Sequence, residues 1–125
     1  MIKKGTYRVE ITAGWTAACI VLLMATFLRF MRIEDQSLWY DEGNTARMTL
    51  RQVGDIVKAT ADDIHPPGYY LAVTGWSHLA GRSEFSLRGF SALVGIILVA
   101  VVYKIGDLKW GSMTATVAGA IVAVH

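Results

Sequence analysis

Hydrophobic positions fall into four blocks, and only the polar stretch between the first two is long enough to hold folded elements of its own. Residues 11–28 run through 18 positions without a charge. As an α-helix such a run reaches about 27 Å, enough for one bilayer crossing. The blocks at 66–81 and 89–103 are shorter, but tilt and the long stems of Arg82, Arg88 and Lys104 can carry them to the interface. The fourth block, 110–125, is rich in Ala, Gly, Ser and Thr, the small residues that let membrane helices approach closely. It stays apolar up to His125, with no capping glycine, basic cluster or proline to close it. The pattern predicts an all-α, polytopic membrane protein with about four transmembrane helices, the last one truncated, and an external loop of short interfacial helices at 29–65. The chain reads as the N-terminal part of a longer protein.

Lys3, Lys4 and Arg8 precede the first block, and Arg29 and Arg32 follow it. A basic start of a first segment usually stays cytoplasmic. A secretory signal would have a shorter apolar core and a small-residue cleavage site; Phe27-Leu28-Arg29-Phe30 offers no such site, which favours a retained anchor. Strict alternation then places 29–65 outside, 82–88 inside and 104–109 outside. The two short loops carry equal basic charge, Arg82 and Arg88 against Lys104 and Lys109, so they add nothing to the assignment.

Composition agrees with a bilayer. Of the 125 residues 54% are hydrophobic and 18% charged, with mean hydropathy +0.41, whereas soluble domains carry about a quarter charged residues. The formal charge of +2 comes from 12 bases and 10 acids in separate clusters, which gives no footprint for nucleic acid. Cys19 is the one cysteine, so an internal disulfide is excluded.

Residues 33–65 hold seven of the acids, Glu34, Asp35, Asp41, Glu42, Asp55, Asp62 and Asp63, against Arg47, Arg51 and Lys58, a net −4. Thr49-Leu50-Arg51-Gln52 has capping-box spacing and predicts a helix from residue 50. Leu50, Val53, Ile56 and Val57 would form its apolar stripe, with Arg51, Asp55 and Lys58 opposite. Such a helix lies along the membrane surface. A shorter helix is expected from about Glu42 to Met48.

Ahead of that shorter helix, Trp39 and Tyr40 favour the membrane–water interface and set Asp41 and Glu42 at headgroup depth. Two readings stand for this pair. Adjacent carboxylates near an apolar wall repel and lose solvent, which makes one a usable general base; alternatively both are solvated acids favouring a helix N-terminus. His65 precedes Pro66 and Pro67, which hold it extended at the start of the second block. Its imidazole could ligate a metal, donate to a phosphate, shuttle a proton, or simply cap the helix mouth. His78, within the second block, fits a hydrogen-bond partner between helices. Arg88 fits a snorkelling anchor, with a phosphate or carboxylate partner as the other reading.

The order of one span, WYDEGNTAR at 39–47, HPPGYY at 65–70 and SEFSLR at 83–88 resembles the N-terminal part of the GT-C membrane glycosyltransferases. The branch it resembles holds protein O-mannosyltransferases, the lipid A aminoarabinose transferase and lipopolysaccharide-core transferases. The likeness covers about 37–110; Gly68 departs from the bulky residue usual there. It implies an inverting transfer of a sugar from a polyprenyl-phosphate donor to a lipid, glycan or protein acceptor, in a multi-pass protein of the bacterial plasma (inner) membrane. It implies Asp41 as the catalytic acid–base residue with Glu42 beside it, His65 lining the same cavity, and Arg88 at a recurrent position. Arg47, or a divalent metal held partly by His65, could meet the donor phosphate. Family members have ten or more spans, so the fragment alone is expected to be inactive. A small accessory or transport-type multi-pass protein is the alternative.

Overall fold

The computed structural model describes residues 4–31, 33, 40–61 and 66–125, with side chains from residue 13 onward. The described residues form six α-helices and no strand: α1 Lys4–Phe30, α2 Tyr40–Met48, α3 Val53–Ala61, α4 Pro67–Ala80, α5 Glu84–Trp110 and α6 Ser112–Val124. They divide into two compact units, Met1–Met31 with Ala92–His125, and Arg32–Ser91.

In the first unit α1 and α6 run parallel. Gly14 lies by Ser112 and Gly119 by Val21, while Arg29 donates to the carbonyls of Val122 and Ala123, each at 3.0 Å. The second part of α5 runs antiparallel to both, since its Gly95 meets Arg29, its Gly106 meets Ala115, and Tyr103 donates its hydroxyl to the Gly14 carbonyl at 2.9 Å. The interior is made of small and β-branched residues: Val21, Ala25, Val99 and Ala123 form one cluster, with Ala115 also fully buried. Ala115, Gly119 and Ala123 recur every four residues on α6, a small-residue stripe that brings backbones together. Large apolar side chains point outward instead, among them Leu23 and Phe27 on α1, Ile97 and Leu108 on α5, and Met113 and Ile121 on α6. Water would penalise so continuous an apolar exterior, and lipid does not.

Among the described residues two helices are long and apolar enough to cross a membrane, α1 through Ala13–Phe30 and α5 through Glu84–Trp110. The third block is therefore longer than its uncharged stretch, because Arg88 and Lys104 are absorbed into one continuous helix of 27 residues. The fourth block forms a shorter apolar helix, α6, of 13 residues. Gly111, at φ 88°, breaks the chain between α5 and α6, a conformation open to glycine and costly for other residues.

The second unit holds α2, α3, α4 and the first turns of α5. α4 starts with Pro67 in its first turn, where the missing N–H leaves nothing unsatisfied. It ends at Gly81, φ 84°, whose N–H bonds the Ser77 carbonyl at 3.1 Å. With 14 residues α4 reaches about 21 Å, short of a bilayer core. Ser83 then caps α5 by accepting from the N–H of Ser86 at 3.1 Å. The α4–α5 corner is fastened by Trp76 donating its indole N–H to the Ser86 carbonyl at 3.0 Å, and by Tyr69 and Ser91, whose hydroxyls are 3.0 Å apart. A small core of Met48, Ile56 and Tyr70 joins α2, α3 and α4.

Four expectations are corrected here. The capping box at Thr49 does not form, because the Thr49 hydroxyl turns back to donate to the Ala46 carbonyl at 2.8 Å. The helix begins at Val53 instead, its first turn closed by the N–H groups of Asp55 and Ile56 on the Gln52 carbonyl, each at 3.0 Å. Of the expected stripe only Ile56 is buried, beside Thr60 one turn on; Leu50, Val53 and Val57 face outward. His78 is exposed on α4 and so joins no helices within its unit. Finally, strict alternation would put 29–65 and 82–88 on opposite faces of the membrane, but Arg82 and Arg88 bond directly to residues of the loop. It would also set α1 and α6 antiparallel, and they run parallel.

Candidate active site

α2 begins two residues before the expected start, so Asp41 and Glu42 both lie in its first turn. Carboxylates there complement the unpaired N–H groups and the positive end of the helix dipole, and Arg47 in the last turn complements the other end. Gly43 and Asn44 are poor helix formers. So short a helix depends on these charges and on tertiary contacts to hold its shape.

The two carboxylates have different surroundings. Glu42 is gripped by Arg88: the guanidinium donates Nε to Oε1 at 3.1 Å and Nη2 to Oε2 at 2.8 Å, a two-bond fork with the ion pair at 2.8 Å. The Arg88 side chain is 13% exposed and that of Glu42 38%. A third bond runs from Arg88 Nη1 to the Ile33 carbonyl at 2.7 Å. Asp41 is exposed, and its backbone carbonyl accepts from the Thr45 hydroxyl at 3.0 Å. The adjacent carboxylates are thus not a repelling pair against an apolar wall. One is matched to a cation, and the other faces outward beside Tyr40, which is 92% exposed.

Arg47 is not brought to Asp41. Six positions along a helix leave it roughly 120° around the axis and almost two turns away, and its side chain is exposed. His65 lies outside the described residues, and with it the metal role expected of it. Among the described residues no group of three His, Cys, Asp or Glu side chains could hold a metal ion. Arg88 takes the carboxylate partner that was the lesser of its two sequence readings. Two contacts had no sequence signal, the carbonyl of Ile33 and that of Thr49, which accepts from Arg82 Nη2 at 3.3 Å. A backbone acceptor is invisible in a side-chain pattern.

Two membrane-length helices among the described residues, with small residues turned inside an apolar exterior, support an integral membrane protein. Residues 64–125 match the family model of dolichyl-phosphate-mannose-protein mannosyltransferase. The matched part, just under half of the chain, is thus similar to mannosyltransferase-like glycosyltransferases of the GT-C type. It takes in α4, α5 and α6, with Arg88; Asp41, Glu42 and Arg47 precede it. No curated protein and no solved structure gives a significant match to the chain.

Proposed function

We propose that the protein is a glycosyltransferase that moves a sugar from a polyprenyl-phosphate donor to an acceptor hydroxyl on the extracytoplasmic side of a bacterial plasma membrane, with Asp41 as the general base. The observation that carries this reading is the Glu42–Arg88 ion pair, which ties the turn bearing Asp41 to a helix inside the family-matched region. Asp41, exposed at the start of α2, is open to a substrate, whereas the neighbouring carboxylate is occupied.

A polyprenyl tail keeps its sugar at the bilayer surface, so the base has to be presented at that depth. In the reaction the Asp41 carboxylate takes the proton of the acceptor hydroxyl as its oxygen bonds the anomeric carbon. The bond from that carbon to the phosphate oxygen breaks on the opposite face, and polyprenyl phosphate leaves with the electron pair. The anomeric configuration inverts through an oxocarbenium-like state. A cation at the leaving phosphate lowers the barrier; His65 with a divalent metal would fit that role by residue type, whereas Arg47 lies on another face of α2 from Asp41.

The test is release of sugar from a polyprenyl-phosphate donor by the protein expressed from its full reading frame and reconstituted in membranes. Sugar transfer to an acceptor hydroxyl is expected. Absence of transfer with every polyprenyl-phosphate sugar offered would leave a membrane protein of accessory or transport type.

A further inference from the structure

Arg82 and Arg88 both reach α2, from the two ends of one short segment. Arg88 holds Glu42 in the first turn of α2 through two bonds, and Arg82 holds the Thr49 carbonyl just past its last turn through one. The spacing matches in reverse order, 42 with 88 and 49 with 82, so α2 lies antiparallel to the Arg82–Arg88 segment with a tie at each end. The chemistry of the ties differs. Glu42–Arg88 is a charge-assisted fork that fixes orientation as well as distance, because the planar guanidinium meets both carboxylate oxygens. Arg82 meets a terminal carbonyl, the negative end of the helix, from an exposed position. Arg88 is the more buried, and it also donates to the Ile33 carbonyl.

We propose that Glu42 and Arg88 form a positioning pair for the Asp41 base, and that Arg82 and Arg88 together set the register of α2. The inference rests on the glycosyltransferase reading for its catalytic part. Glu42 is then no second base, and Arg88 acts on the donor only through the turn that carries Asp41. Since Asp41 and Glu42 are consecutive in one helical turn, rotation of Glu42 moves the Asp41 carboxylate with it. A displacement of about 1 Å in a reacting group can lower turnover roughly 10²-fold.

A double-mutant cycle in reconstituted membranes tests this, with Glu42→Gln, Arg88→Lys and both changes together. Lysine keeps the charge but loses the fork, so each single variant is expected to lower kcat roughly 10- to 100-fold while KM for the donor changes little. The double variant should be no worse than either single one, because the partners act as a unit. The exchanged pair Glu42→Arg with Arg88→Glu should recover part of the activity lost in either single exchange. A raised donor KM in Arg88→Lys, with losses that multiply in the double variant, would overturn the proposal and make Arg88 a phosphate ligand. Melting temperatures of the same four proteins separate the two layers. Non-additive melting temperatures without any sugar transfer by the wild type would retain the tie and discard the glycosyltransferase reading. Additive melting temperatures would discard the tie itself.

Discussion

At the scale of single residues, neighbours in sequence have unlike fates. Asp41 and Glu42 carry the same chemistry, yet one is exposed and the other is clasped by Arg88. Leu50 and Ile56, read from the sequence as one stripe, also part company. Ile56 is fully buried between Met48 and Tyr70, and Leu50 is 67% exposed. Ile56→Asp should therefore destabilise the second unit by several kcal/mol, the cost of an unpaired buried carboxylate, while Leu50→Asp should change stability by about 0.5 kcal/mol or less. Thermal unfolding of the two variants in detergent checks this, and equal losses would place both residues in the core. The presence of an apolar face on α3 was legible in Val53, Ile56 and Val57. Which of them is buried was not, because that depends on where α4 brings Tyr70.

At the scale of elements, the small-residue pattern of 110–125 foretold close packing, and α6 does bury Ala115, Gly119 and Ala123. The tightest approach to backbone lies at Gly106 on α5, where a methyl group would come within 2.9 Å of the Ala115 Cα. Alanine ordinarily favours a helix interior by about 1 kcal/mol over glycine. Here the neighbour is backbone and cannot rotate away, so Gly106→Ala should lower the melting temperature despite that preference. Gly54→Ala, where beyond its chain neighbours and its own helix backbone no atom lies within 4 Å of the added Cβ, should raise it or leave it unchanged. A melting temperature raised by Gly106→Ala would show that α5 and α6 are not in contact there. The shift of the α3 start from residue 50 to Val53 has a plain cause: Thr49 is drawn into the end of α2 by its bond to Ala46 and cannot serve as a cap.

At the scale of the whole molecule, helical class and membrane character were legible from the uncharged blocks, since both follow from length and composition. The number and sequence of crossings were not. Alternation assumes that every apolar block spans, but α4 has 14 residues, and the bonds of Arg82 and Arg88 hold 82–88 beside the loop. In a background with Cys19 replaced, Ser37→Cys and Glu84→Cys should label from the same, extracytoplasmic side of intact cells. Labelling from opposite sides would restore α4 as a crossing. The DE pair was legible as a candidate in its sequence setting, whereas the unlike surroundings of its two acids emerge only from the partner 46 residues away. The central claim is that Asp41 accepts the proton of the attacking hydroxyl, and Asp41→Asn tests it most directly because it preserves size while removing proton acceptance. In sugar transfer from a polyprenyl-phosphate donor, measured in reconstituted membranes, turnover should fall roughly 10²-fold or more with donor binding largely kept; wild-type turnover in Asp41→Asn would contradict the account and leave the acids as a charged start to α2.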